Sequence, residues 1–93
     1  MIVLFKLKET EITFCGRYSR RLAQSIQRIA AHKLEQLNAA TVMDTLRIPP
    51  GNRLEALIGD RKEQHSLRIN DQWRICFIWR DGNAYDVEIV DYH

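Results

Sequence analysis

The hydrophobic pattern of this 93-residue chain changes its period at one place, Pro49-Pro50-Gly51. Before it, apolar residues return every three or four positions. After it, they return every second position. A helix keeps one face apolar with a period of 3.6 and a strand with a period of two. Prolines cannot continue a helix. A chain that switches once, at such a break, is predicted to be α+β, with helices first and an antiparallel sheet after them.

In the first half, Leu22, Ile26, Ile29, Ala30, Leu34 and Leu37 make one apolar stripe. They predict an amphipathic helix over about 20–38 with Ser19 as its N-cap. Arg20, Arg21, Gln24, Gln27, Arg28 and Glu35 lie opposite the stripe. The helix is expected to end near Asn38-Ala39-Ala40, and Thr41 to cap one more turn reaching Leu46. Upstream, Ile2–Phe5 reads as a short strand and Glu9–Cys15 as a short helical turn, broken at Gly16.

In the second half, Arg53–Leu57 alternates, Gly59-Asp60 turns, His65–Ile69 alternates and Asn70-Asp71 turns again. Trp73, Ile75, Phe77 and Trp79 share one face of the next strand and read as core, with Arg74, Cys76 and Ile78 on the other face. Asp81-Gly82 is a hairpin signal. Ala84–Val90 follows, with Tyr85, Val87 and Ile89 expected on one face. Short connections imply antiparallel neighbours. The expected architecture is a short N-terminal strand and two helices packed on one face of a C-terminal antiparallel sheet. The other sheet face is left partly open, where Arg53, Glu55, Arg68, Arg74 and the tail are expected to gather.

Residues 1–93 are one domain at this length. Folding a chain this short buries only about 60–65% of its unfolded surface, so the core is expected to be thin. No apolar run approaches a membrane span, and the N-terminus lacks the pattern of a signal peptide. Cys15 and Cys76 are far apart and outside any CxxC pair, so packed, reduced thiols in a cytoplasmic protein are expected. His32, His65 and His93 share no ligand spacing with each other or with the cysteines, so no metal site is expected. The net charge is only +2, but it is unevenly spread. Ile12–Leu34 holds Arg17, Arg20, Arg21, Arg28 and Lys33 and no acid. Asp81–His93 holds four acids and no Lys or Arg. A basic face of this kind suits nucleic acid, and also suits an ordinary solvated helix face.

Several blocks occur in order: Leu54, Ala56-Leu57, Gly59-Asp60-Arg61, Ser66, Asn70, Trp73-Arg74-Ile75, Phe77, Tyr85 and finally Asp91-Tyr92-His93. In this order and spacing the chain resembles the HigB (plasmid-maintenance killer) branch of the RelE/ParE superfamily. The resemblance implies a microbial RNase-like fold without disulfides, metal or other cofactor. It implies a toxin of a type II toxin–antitoxin system that enters the ribosomal A site and cuts mRNA during translation. A helix-turn-helix antitoxin of the HigA type is the implied partner, and operator DNA is reached only through that antitoxin.

RNA cleavage without metal needs a base for the ribose 2′-OH, a cation for the pentacovalent phosphorane and an acid for the leaving 5′-oxygen. His93 titrates near neutrality and suits either the acid or the base role; as a chain end it also suits a frayed residue. Tyr92 suits stacking on a base or a hydrogen bond to phosphate, and equally an aromatic packed at the sheet edge. Arg74 offers a planar fork for phosphate, or a cross-strand pair with Asp86 or Glu88. Asp91 suits orienting Tyr92 or His93, or pairing an arginine. Relatives in the resembling family carry a histidine and a lysine where this chain has Glu55 and Ile58. Glu55 can serve as general base in place of the histidine. Arg53, Arg61, Lys62 or Arg68 can supply the lost phosphate-binding charge. The helix cations Arg20, Arg21, Arg28 and Lys33 are expected to meet ribosomal RNA. Two other functions fit the same outline. One is a ParE-like gyrase poison, which needs no terminal Asp-Tyr-His. The other is a catalytically weakened toxin retained as an antitoxin-binding module.

Overall fold

The structure is a computed structural model that describes residues 1–20, 22–61 and 63–91, with Arg61 as backbone only. Helix α1 spans Lys8–Phe14 and α2 spans Gln24–Ala39. Short 3₁₀ turns at Met43–Arg47 and Pro50–Asn52 follow. Strands β1 (Glu55–Ala56), β2 (Gln64–Arg68), β3 (Trp73–Arg80) and β4 (Asn83–Asp91) form an antiparallel meander in sequence order. Residues 2–5 add to the far edge of β4 through two parallel bridges, Ile2 to Ala84 and Phe5 to Val87. The α+β reading and the switch of period at Pro49-Pro50-Gly51 are thus realised. Among the described residues no helix is long and apolar enough to cross a membrane.

The core lies between α2 and one face of the sheet. Ile26, Ala30, Leu34 and Leu37 of α2 meet Leu67, Ile75, Phe77, Val87 and Ile89. Phe77 and Ile75 are fully buried, whereas Trp73 and Trp79 sit at the margin of the cluster, half-buried. A buried phenylalanine is worth about 3–5 kcal/mol against alanine, so the central pair of β3 anchors the sheet.

Several expectations need correction. Helix α2 begins at Gln24, not near residue 20, and Ser19 is not its cap. The side chain of Gln27, expected on the solvent face, is instead buried. Its Oε1 accepts from Ser19 N–H at 2.9 Å and its Nε2 donates to the Ser19 carbonyl at 2.7 Å and the Leu22 carbonyl at 2.9 Å. A side-chain amide that satisfies three backbone groups ties Ser19 and Leu22 to the first turn of the helix and delays its start. Ile29 is 45% exposed, so the apolar stripe is narrower than its spacing suggests. Thr41 caps nothing; Val42 flanks the following turn, and the Thr45 hydroxyl donates to the Val42 carbonyl. The first strand is only two residues long, because Arg53 adopts a left-handed conformation at φ 43° and breaks the extended run before Glu55. Cys15 is exposed rather than packed, while Cys76 is buried.

The last correction concerns the parity of β4. Cys76 pairs with Glu88 but Ile78 pairs with Tyr85, so β4 carries one extra residue. Asp86, at φ 51°, makes this bulge. One inserted residue reverses which side chains face inward. Ala84 therefore faces the core with Val87 and Ile89, and Tyr85 turns to the opposite face. The β3–β4 hairpin itself is as predicted. Arg80 pairs with Asn83, and Asp81 and Gly82 both have positive φ. Gly82 also lies close to the Thr41 carbonyl, where a Cβ would come within 3.3 Å.

Candidate active site

The register fixes which residues share the sheet face away from α2. Glu55 pairs with Ser66, Ser66 with Cys76 and Cys76 with Glu88. Arg68 pairs with Arg74, and Arg74 with Val90. Glu55, Ser66, Arg68, Arg74 and Glu88 thus stand on one surface. Ser66 and Cys76 are fully buried and make its floor, on which the longer charged side chains rest.

Arg74 is the centre of this surface. Its side chain is only 15% exposed. Nη1 donates to the Ser66 hydroxyl at 3.0 Å, and Nη2 lies 3.6 Å from Glu55 Oε1. The guanidinium therefore leans toward β1 and β2. Of the two acids expected as its cross-strand partners, Asp86 lies in the bulge, well along the strand from Arg74's own neighbour Val90. Like charges directly opposed in a sheet repel. Arg68 and Arg74 are so opposed, and each is drawn to its own acceptor: Arg68 to Asp71, Arg74 to Glu55 and Ser66. Two arginines opposed in register can each offer a planar fork to a phosphate.

Lys33 needs correction as a surface cation of the helix. It is half-buried, and its ammonium donates to Asn52 Oδ1. Desolvation lowers its pKa, and nearby Arg68 lowers it further. It thus joins the Arg68 end of the sheet rather than the outer stripe of α2. Asn52 is fully buried; its Nδ2 donates to the Leu46 carbonyl and to Gln36 Oε1, both at 3.1 Å. This amide ties α2 to the segment that delivers Glu55.

The remaining predicted residues divide cleanly. Arg20, Arg28 and Arg53 are exposed. Ile58 is 88% exposed and carries no charge. Asp91 is exposed and pairs in register with Trp73, so it falls on the side of the sheet opposite Arg74; its Oδ2 accepts from Gln72 at 3.1 Å. It is therefore not brought together with Glu55 and Arg74. Tyr92, His93, Arg21, Lys62 and the Arg61 side chain lie outside the described residues. Ser66 is the contributor whose role the sequence did not declare. Its signal was the pairing of Ser66 with Glu55, legible only once the register is known. Among the described residues no three His, Cys, Asp or Glu side chains come together as metal ligands.

A meander with one helix-covered face, and opposed arginines beside a carboxylate on the other, defines a small α+β protein with a charged sheet face. Residues 5–93 match the family model described as HigB-like toxin, the RelE-like toxin of the type II toxin–antitoxin system HigB. The chain belongs to this family. It is 48% identical over 65 residues to Toxin HigB-1 of Vibrio cholerae, spanning 70% of this chain and 68% of that one. It is 34% identical to Endoribonuclease HigB of Proteus vulgaris over the full length of both. An uncharacterized protein of Haemophilus influenzae is 30% identical over 69 residues, 74% of this chain and 68% of its own. As a type II toxin it has an antitoxin as partner.

Proposed function

We propose that this toxin is a ribosome-dependent mRNA endonuclease that cuts by attack of a ribose 2′-OH on the adjacent phosphodiester. The observation that carries the reading is the direct opposition of Arg68 and Arg74, with the Glu55 carboxylate 3.6 Å from Arg74. Glu55 takes the 2′-OH proton, and the 2′-oxygen then bonds to phosphorus. Arg74 and Arg68 neutralise the charge that grows on the phosphorane oxygens. The 5′-oxygen departs with a proton, for which His93 is the proposed donor; a 2′,3′-cyclic phosphate and a 5′-hydroxyl remain. Tyr92 is proposed to stack on a base, and Asp91 to hold the end of β4 through Gln72. The name of the Proteus vulgaris relative supports the reaction class. The cations Arg20, Arg21, Arg28, Arg53, Arg61 and Lys62 are proposed to meet ribosomal RNA in the A site. A HigA-type helix-turn-helix antitoxin is the proposed partner and the route to operator DNA.

Because Ile58 offers phosphate no charge, the rate is proposed to be lower than in relatives carrying the histidine and lysine. Primer extension on a translated mRNA with the chain induced tests the reading. Cuts at codon spacing that vanish in Arg74→Ala and His93→Ala are expected. Intact mRNA with stalled gyrase–DNA complexes, or no growth defect, would overturn it.

A further inference from the structure

A cleft of about 230 Å³ lies between α1 and α2, on residues outside the sheet-face site. Arg17, Tyr18, Gly16, Thr13, Gln27 and Arg28 line it. Among the described residues no acid lines it, in keeping with the acid-free run from Ile12 to Leu34. Arg17 and Arg28 are exposed, and neither forms an ion pair among the described residues. Tyr18 is 61% exposed, in a protein whose other tyrosine among the described residues, Tyr85, is half-buried in the sheet. The loop that carries Arg17 and Tyr18 is not slack. Its end is clamped by the buried Gln27 amide on Ser19 and Leu22, and its start by Gly16 at φ 80° and the Arg17 N–H to the Ile12 carbonyl at 3.0 Å.

The cleft is smaller than the roughly 300–1,000 Å³ that encloses a whole small ligand. It can enclose only part of a nucleotide, so the rest would lie on the exposed residues of its rim. Two unspent guanidiniums match the oxygens of a phosphate, and an exposed, rigidly carried aromatic ring beside them matches a nucleobase face. We infer that this cleft takes one nucleotide of ribosomal RNA, its phosphate between Arg17 and Arg28 and its base on Tyr18. The inference rests on the ribosome-dependent reading above and deepens it. The cleft anchors the toxin to the ribosome, while the Arg68–Arg74 face meets the mRNA.

The test measures binding of the full chain to purified ribosomes over graded salt for wild type, Arg17→Gln with Arg28→Gln, Tyr18→Ala and Tyr18→Phe. Antitoxin capture and mRNA cleavage are measured in parallel. All three side chains are exposed, and the thermal midpoint of each variant checks that the fold is kept. Loss of the one phosphate that the two arginines neutralise is expected to flatten the slope of log affinity against log salt by about 0.7. Tyr18→Ala is expected to weaken binding roughly five-fold or more with the slope unchanged, and Tyr18→Phe to bind as wild type. Antitoxin capture is expected to be unaffected. Variants that bind ribosomes as wild type does, while wild type binds and cuts, overturn the inference alone. Variants that lose antitoxin but keep the ribosome overturn it too, because the cleft is then a protein dock. Wild type that binds no ribosome removes both the functional reading and this inference.

Discussion

Arg74 and Glu55 meet over Ser66. The guanidinium of one strand reaches past its neighbour to within 3.6 Å of a carboxylate two strands away, and its other nitrogen holds the serine hydroxyl at 3.0 Å. Arg74 is thus largely enclosed while Glu55 remains half exposed, so a group binding from solvent meets the carboxylate first.

Glu55→Gln keeps the size and the contact with Arg74 but removes the base. A fall in cleavage of about 10²–10⁴-fold is expected. Ser66→Ala takes one acceptor from Arg74 and is expected to cost only about 2–10-fold, with the pH optimum unmoved. Ribosome-programmed cleavage assays separate the two. Full activity in Glu55→Gln would reduce Glu55 to a counter-ion.

Ile58→Lys places a cation at an open position. At 88% exposure the change is expected to alter stability by less than about 0.5 kcal/mol. Cleavage is expected to rise on the order of ten-fold, short of the 10²–10³ that a preorganised, enclosed donor supplies. Cleavage rates of the two proteins on the same message decide it; an unchanged rate would mean that the Arg68–Arg74 pair already saturates the phosphate.

Asp86 holds the bulge at φ 51°. A left-handed residue with a Cβ costs roughly 1–2 kcal/mol, and a β-branched one more. Asp86→Gly is expected to leave stability unchanged or raise it by up to about 1 kcal/mol, and Asp86→Val to lower it by about 2 kcal/mol or more. Urea unfolding midpoints measure both. Equal midpoints would show that the bulge relaxes.

His65 stacks near Phe77 with ring centres 6.1 Å apart, and its Nδ1 is buried without a hydrogen-bond partner in the structure described. Burial lowers its pKa from the ordinary 6.5, and Arg47 lowers it further. The unfolded chain then binds the proton more readily than the folded one. The stability linked to His65 is present above pH 6.5 and is lost as pH falls through the folded value. His65→Phe is expected to remove that acid limb. Unfolding curves from pH 7 down to about pH 5 check it, and parallel pH profiles for the two proteins would contradict it.

The alternating run of β3 and the Asp81-Gly82 turn were readable because local chemistry alone decides them. The meander followed from short connections. What could not be read was long-range. Gln27 looks like a solvent-face residue by periodicity, and only its three bonds to residues 19 and 22 turn it inward. Lys33 sits on the basic stripe by spacing, yet a buried amide 19 residues away draws it to the sheet. The bulge at Asp86 has no glycine to announce it, so Tyr85 was placed on the wrong face. For the site, Glu55, Arg68 and Arg74 were correctly gathered on one face, since pairing of short antiparallel strands sets their parity. Asp91 falls on the other face, because it alternates in step with Val87 and Ile89 and pairs with Trp73, with no register shift between them.

The pairing of residues 2–5 with Ala84 and Val87 bears on the order of folding. The hairpins of β1–β4 close over short loops, but this edge joins segments more than 80 positions apart, so it carries the heaviest loop-closure cost in the molecule. This edge is thus expected to form late in folding. Damage there is expected to speed unfolding and to leave the folding rate nearly unchanged, which the two arms of a denaturant chevron would show.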